Sequence, residues 1–169
     1  MAHKYLYNNA GQITERELTV SSAGAGDAGK GVALDTAGRL DSTVMPVGIG
    51  ADTKSIVSSE NLAAGNLVNV WYDVDTVKVR KADATTAGKE AVGFVLSAVT
   101  SPAEATVYFE NVITGLSGLT PGTTQFLATT AGGRTEMAPS STGNIIQKVG
   151  VAVSATELSF EPGETIVLV

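Results

Sequence analysis

An all-β fold is what this sequence predicts: small antiparallel barrels or sandwiches, with two repeated β-modules behind an extended N-terminal arm. Three observations predict it. Apolar residues make up 43 % of the 169 residues but aromatics only 5 %, so the apolar mass is Ala, Val and Leu. From about residue 51 onward these residues fall in short runs, many of them alternating and each bounded by Gly, Asn, Asp or Pro, which is how strands are punctuated. Nineteen glycines and only 17 % charged residues describe turns and short strands rather than a helical bundle or a disordered chain.

Residues 1–50 read as the arm. The stretch Ser21–Gly31, SSAGAGDAGKG, is too rich in Gly and Ala to hold a core of its own. Strands are expected around Thr19-Val20 and from Val32 to Leu34. The segment Gly31–Pro46, GVALDTAGRLDSTVMP, continues as a tight turn centred on Gly38, a short polar piece and a proline stop. Such a segment gains order by lying on something else.

Residues 51–116 and 117–169 read as the two modules. Strands are expected at 55–58, 67–72, 76–81, 91–99 and 105–112 in the first, and at 124–129, 135–138, 145–154, 157–161 and 165–169 in the second. Asp73-Val74-Asp75 and Ala131-Gly132-Gly133 read as hairpin connections. Ser59 to Ala64 has the makings of one helical turn.

An internal repeat supports this division. Leu62-Ala63-Ala64-Gly65 aligns with Leu119-Thr120-Pro121-Gly122, and Val92-Gly93-Phe94-Val95-Leu96-Ser97-Ala98 with Val149-Gly150-Val151-Ala152-Val153-Ser154-Ala155. Both blocks share an offset of 57 residues. After a shorter connection, Val107-Tyr108-Phe109-Glu110 answers Leu158-Ser159-Phe160-Glu161. Gly93 and Gly150 stand at the same place in each long strand, where a glycine allows a bulge or a sharp bend.

Chemistry is hard to find in this chain. The one histidine, His3, stands two residues from the first Met, and there is no cysteine, so neither a His-based triad nor a thiolate site can be built. No serine sits in a G-x-S-x-G elbow. Gly24, Gly29 and Lys30 fit the start of a phosphate-binding loop, but Gly31 stands where the metal-binding hydroxyl belongs. Asp73 and Asp75 bracket a turn and are too few for calcium. No enzyme activity, cofactor or metal is therefore expected. A net charge of −6 with scattered basic residues argues against nucleic acid; in the one local cluster, Lys78, Arg80 and Lys81, alternation puts Lys78 and Arg80 on one side of a strand, which reads as a solvated sheet face. No apolar run approaches the roughly 20 residues that span a bilayer, and the first residues lack the apolar core of an export signal, so neither membrane nor export is expected. Trp71-Tyr72 is the largest apolar pair; Trp71 reads either as a cap on a barrel or as an anchor between subunits.

The arm segment Ser22–Gly48, the blocks Val79–Val99 and Gly118–Gly133, and the tail segment Val149–Gly163 resemble virion proteins of tailed bacteriophages, most of all the capsid decoration (cement) proteins. The resemblance implies a β-rich homotrimer, made in the host cytoplasm and bound on the outer surface of the capsid shell. There it would contact the major capsid protein and resist the pressure of the packaged genome. It implies Leu34, Leu40, Val44 and Met45 as arm anchors on the shell, and Trp71 or Tyr108 in a subunit interface. Similar modules occur in tail fibres and tail tips, so recognition of a host surface is the alternative.

Overall fold

The computed structural model describes residues 3–45 and 52–169, which fall into two compact units divided at Gly50/Ala51. Pro46, the expected stop, lies outside the described residues.

The first unit begins with a hairpin where the sequence reading placed only arm. Strands β1 (Lys4–Asn9) and β2 (Gln12–Glu17) pair antiparallel from Lys4↔Glu17 to Asn9↔Gln12. Ala10 and Gly11 both take positive φ, 52° and 90°, which gives a two-residue turn whose twist matches the strands. The Asn8 side chain accepts from the Gly11 N–H at 2.8 Å and braces it. The strands expected at Thr19-Val20 and Val32–Leu34 reduce to one parallel bridge, Thr19↔Val32, held by backbone hydrogen bonds from the Thr19 N–H to Gly31 and from the Ala33 N–H to Thr19. Two single-turn 3₁₀ helices, Ala25–Asp27 and Ser42–Val44, complete the unit.

The second unit is all β, as expected. Strands β3 (Thr53–Ser58), β4 (Leu67–Asp73), β5 (Thr76–Lys81), β6 (Gly93–Phe94) and β7 (Glu104–Tyr108) close a barrel in the order β3-β5-β4-β6-β7. One pair, β3 with β5, is parallel; the others are antiparallel. The β4–β5 hairpin turns on Val74 and Asp75, at φ 41° and 63°, where the sequence put it.

Strands β8 (Asn111–Ile113), β9 (Thr124–Leu127), β10 (Arg134–Thr135), β11 (Ile145–Ala152) and β12 (Leu158–Phe160) form a sheet in the order β10-β9-β11-β12-β8, with β13 (Thr165–Val167) added to the start of β11. Three expected strands come out differently, and of the run 135–138 only Thr135 is strand, in β10. The run 91–99 keeps only two residues as strand, because Val95 and Val99 bond instead to the 62–66 loop. The run 105–112 breaks at Phe109-Glu110, and Asn111 at φ 130° starts β8 in the other sheet. Sheet membership thus changes near residue 110 rather than at the 116/117 division. Ser59–Ala64 forms no helical turn; Leu62 bridges to Val99.

The repeat is legible in the hydrogen-bond registers. In the first module Leu67 pairs with Phe94, Val68 with Gly93, and Phe94 with Tyr108. In the second, Thr124 pairs with Val151, Gln125 with Gly150, and Val151 with Ser159. Each pair is the other carried across the sequence alignment. Gly65 and Gly122 both take positive φ, 79° and 83°, two residues before β4 and β9.

The two modules bury their apolar residues differently. Ile56, Leu62, Val68, Val79, Val95, Ala105 and Val107 fill the lumen of the first barrel. Their counterparts Leu119, Ala152 and Leu158 instead join one core with Leu67 and Phe94 and with the half-buried Tyr108, which stand on the outside of that barrel. The second sheet therefore wraps its inner face onto the first barrel. Phe94 stacks on Tyr108 (5.3 Å, 16°) and meets Phe160 edge-on (5.3 Å, 65°). Gln147, buried at the seam, bonds both the N–H and the C=O of Ala91, at 2.8 and 2.9 Å.

Candidate functional site

The arm residues singled out by the sequence sit on a surface with almost no interior. Among the described residues of the first unit, Ala33 is the one buried apolar side chain. Leu34 and Leu40 are each about half exposed, at 52 % and 51 %; Met45 is exposed and Val44 half-buried. Two aspartates hold this stretch in shape. Asp35 accepts from the Ala37 and Arg39 N–H groups at 2.8 and 2.9 Å, closing the loop around Gly38, whose φ is 75°. Asp41 accepts from the Thr43 hydroxyl and N–H at 2.6 and 2.9 Å, capping the Ser42–Val44 turn, and these bonds lower its pKa. The D-x-x-G-R-L-D-S pattern is thus a pair of side-chain-stapled turns that present Leu34 and Leu40 outward.

Leu34 also walls an open groove of about 410 Å³ with His3, Val20, Asp35 and Thr36. Leu40, Val44 and Met45 do not line it. The sequence reading missed the groove partners Val20 and His3, and it missed Leu6 and Ile13. The last two stand 73 % and 65 % exposed on one face of the hairpin. Only Gly11 hinted at the turn, because Ala10 at positive φ is not one of the residues that signal a two-residue hairpin.

Gly24–Gly31 is closed on itself. The Asp27 carboxylate accepts from the Ala23 N–H at 2.6 Å and from Lys30 Nζ at 2.6 Å, and the Lys30 bond is the main reason its pKa is lowered. The lysine and an N–H that a phosphate would need serve this aspartate.

In the second unit Trp71 is half-buried on the outer face of the barrel. The Arg80 guanidinium lies 4.7 Å from the Trp71 ring centroid, with Nε on Asn69 Oδ1 at 3.0 Å and Nη2 on the Gly88 carbonyl at 2.8 Å. Trp71 Nε1 donates to Ser59 Oγ at 3.3 Å. Tyr72 points the other way and is 67 % exposed. Tyr108 spends its ring on Phe94 within the chain. Asp73 pairs with Lys78 at 2.7 Å rather than converging with Asp75. Among the described residues no three His, Cys, Asp or Glu side chains gather as metal ligands, and no helix is long and apolar enough to cross a membrane.

No known protein-family model matches this chain, and no curated protein matches it.

Proposed function

We propose that this chain is a structural protein of a tailed-phage virion, a decoration protein that binds the outer surface of the capsid shell as a homotrimer and stabilises it. The observation that carries the reading is the contrast between the two units. The second is a well-filled β-body, whereas the first buries one apolar side chain among its described residues and leaves Leu6, Ile13, Leu34 and Leu40 exposed with almost no core behind them. A two-stranded hairpin is marginal by itself, so a unit with this little core gains stability from a partner surface. A unit that completes its core on a shell protein adds stability to the assembled shell by mass action. Trimerisation presents three such units together and raises avidity by roughly 10²–10⁴ over one.

Immunogold labelling of purified particles with an antibody to this chain tests the reading. Label over the head supports decoration. Label confined to the tail overturns it in favour of host-surface recognition.

A further inference from the structure

Register equivalence singles out two positions in the second sheet. Val68 and Val79 are fully buried in the lumen of the first barrel. Their counterparts by strand pairing are Gln125 and Arg134, so two lumen valines have become an amide and a cation. The change falls where the second sheet stays open, since β10 and β8 are the two ends of its strand order.

Arg134 pairs opposite Leu127, so its side chain leaves the sheet on the face of that fully buried leucine. Its Nε is buried without a hydrogen-bond partner. Among the described residues the guanidinium enters no ion pair. Arg134 is half-buried, and that partial loss of water lowers its pKa.

Beside it opens a cleft of about 290 Å³ whose rim includes Ser117, Gly118, Thr135 and Glu136. Glu136 does not neutralise the arginine. Its Oε1 accepts from the Thr120 N–H at 3.0 Å and from Thr123 Oγ1 at 3.2 Å, which ties it to the loop before β9. Gln125 Nε2 donates to Thr123 Oγ1 at 3.0 Å and holds the same hydroxyl in place.

We propose that Arg134, at the open seam of the second sheet, is a carboxylate-binding site. A guanidinium fork matches a carboxylate with two parallel hydrogen bonds, made here through the two Nη groups, since Nε is closed off from the cleft. The standing charge of Glu136 at the rim favours a singly charged group over a phosphate dianion. The carboxylate comes from a small free acid or from an Asp or Glu of a second copy of this chain, which carries 17 such residues. The proposal is independent of the virion reading.

The test follows the Nε–Hε resonances of the four arginines in the full-length ¹⁵N-labelled protein by NMR. Sodium acetate, sodium chloride and sodium phosphate are titrated at matched ionic strength. Acetate shifts the Arg134 resonance saturably while those of Arg16, Arg39 and Arg80 follow chloride. R134K, read from the Gly133 and Thr135 amides, binds acetate roughly tenfold more weakly or worse. The Gly150 amide reports that the sheet is intact. An equal response to acetate and chloride overturns the proposal, and so does a stronger response to phosphate. Without added acetate, an Arg134 resonance that returns to its unliganded position on dilution assigns the carboxylate to a second copy. One unmoved by dilution and shifted by acetate assigns it to a free acid.

Discussion

Replacing Gly150 by alanine should be among the most damaging small changes in this chain. Gly150 sits in the middle of β11 at a break in register between Lys148 and Gly150, with φ at +150°. An L side chain is strained there, at about 1–3 kcal/mol. A Cβ at this position would also land inside the envelope of the Ser159 carbonyl oxygen on β12, and β12 would have to withdraw by about 1 Å to relieve it. Withdrawal weakens a pairing that holds Leu158 and Phe160 in the core, with each ladder bond worth about 0.5–1.5 kcal/mol. With two ladder bonds weakened, strain and lost pairing sum to a loss of about 2–6 kcal/mol. Urea unfolding followed by the fluorescence of Trp71, the chain's one tryptophan, measures it. Gly143→Ala is the control: its φ is +84° but a Cβ there meets nothing within 4 Å, so it should lose only the strain of about 1–2 kcal/mol. If Gly150→Ala costs no more than Gly143→Ala, close approach between β11 and β12 is not what requires glycine.

Three further outcomes are expected. Gln147→Leu strips partners from both polar groups of Ala91 in a buried seam and should cost about 2–5 kcal/mol in the same urea experiment, with no rescue by the apolar gain. At Asp83, burial pushes the carboxyl up, but the Thr85 side chain, Lys89 and the Thr85 N–H outweigh it and leave the pKa lowered. Its stabilisation is therefore present above the unfolded value of about 3.9 and is lost as pH falls through the lower folded value, so Asp83→Asn should flatten the acid limb of urea midpoints taken from about pH 6 to about pH 3. Leu34→Asp with Leu40→Asp should leave the urea midpoint of the second unit unchanged, since both side chains stand half exposed in the first unit, yet lower the occupancy of this chain on purified particles.

The β-body was legible where local chemistry settles structure. Asp73-Val74-Asp75 could only be a tight connection between two alternating segments, and β4 and β5 lie where the alternation put them. The 57-residue offset also carried real information, because it maps the pairs of one sheet onto those of the other. Closure was not legible. Val68 and Gln125 occupy equivalent places, and no periodicity says that one lines a closed lumen while the other faces a cleft. The 91–99 run failed for a related reason: its Val-rich composition fits a long strand, but the loop at 62–66 competes for its backbone bonds. In the arm, the Gly-rich stretch at 21–31 led to a reading of one extended segment and hid a hairpin over 4–17, whose turn places Ala10 at the positive φ that Asn or Gly usually takes. Leu34, Leu40, Val44 and Met45 were singled out by likeness to a family pattern. That Asp35 and Asp41 staple their turns is the physical content of that pattern.

The open second sheet and the closed first barrel are one packing solution. Modules this small have little core of their own. Closing both barrels would leave Leu67, Phe94 and Tyr108 on an outer face with nothing to cover them. Opening one lets its lumen residues, Leu119, Leu127, Ala152 and Leu158, take those side chains in place of their own far wall. The sheet that opens must then leave its terminal strands unpaired with each other, and there the lumen position can no longer be apolar at no cost. Arg134 stands at that position. The polar cleft is thus a consequence of how the duplicated halves share a core, and it has no counterpart in the first barrel, where Val79 is sealed inside.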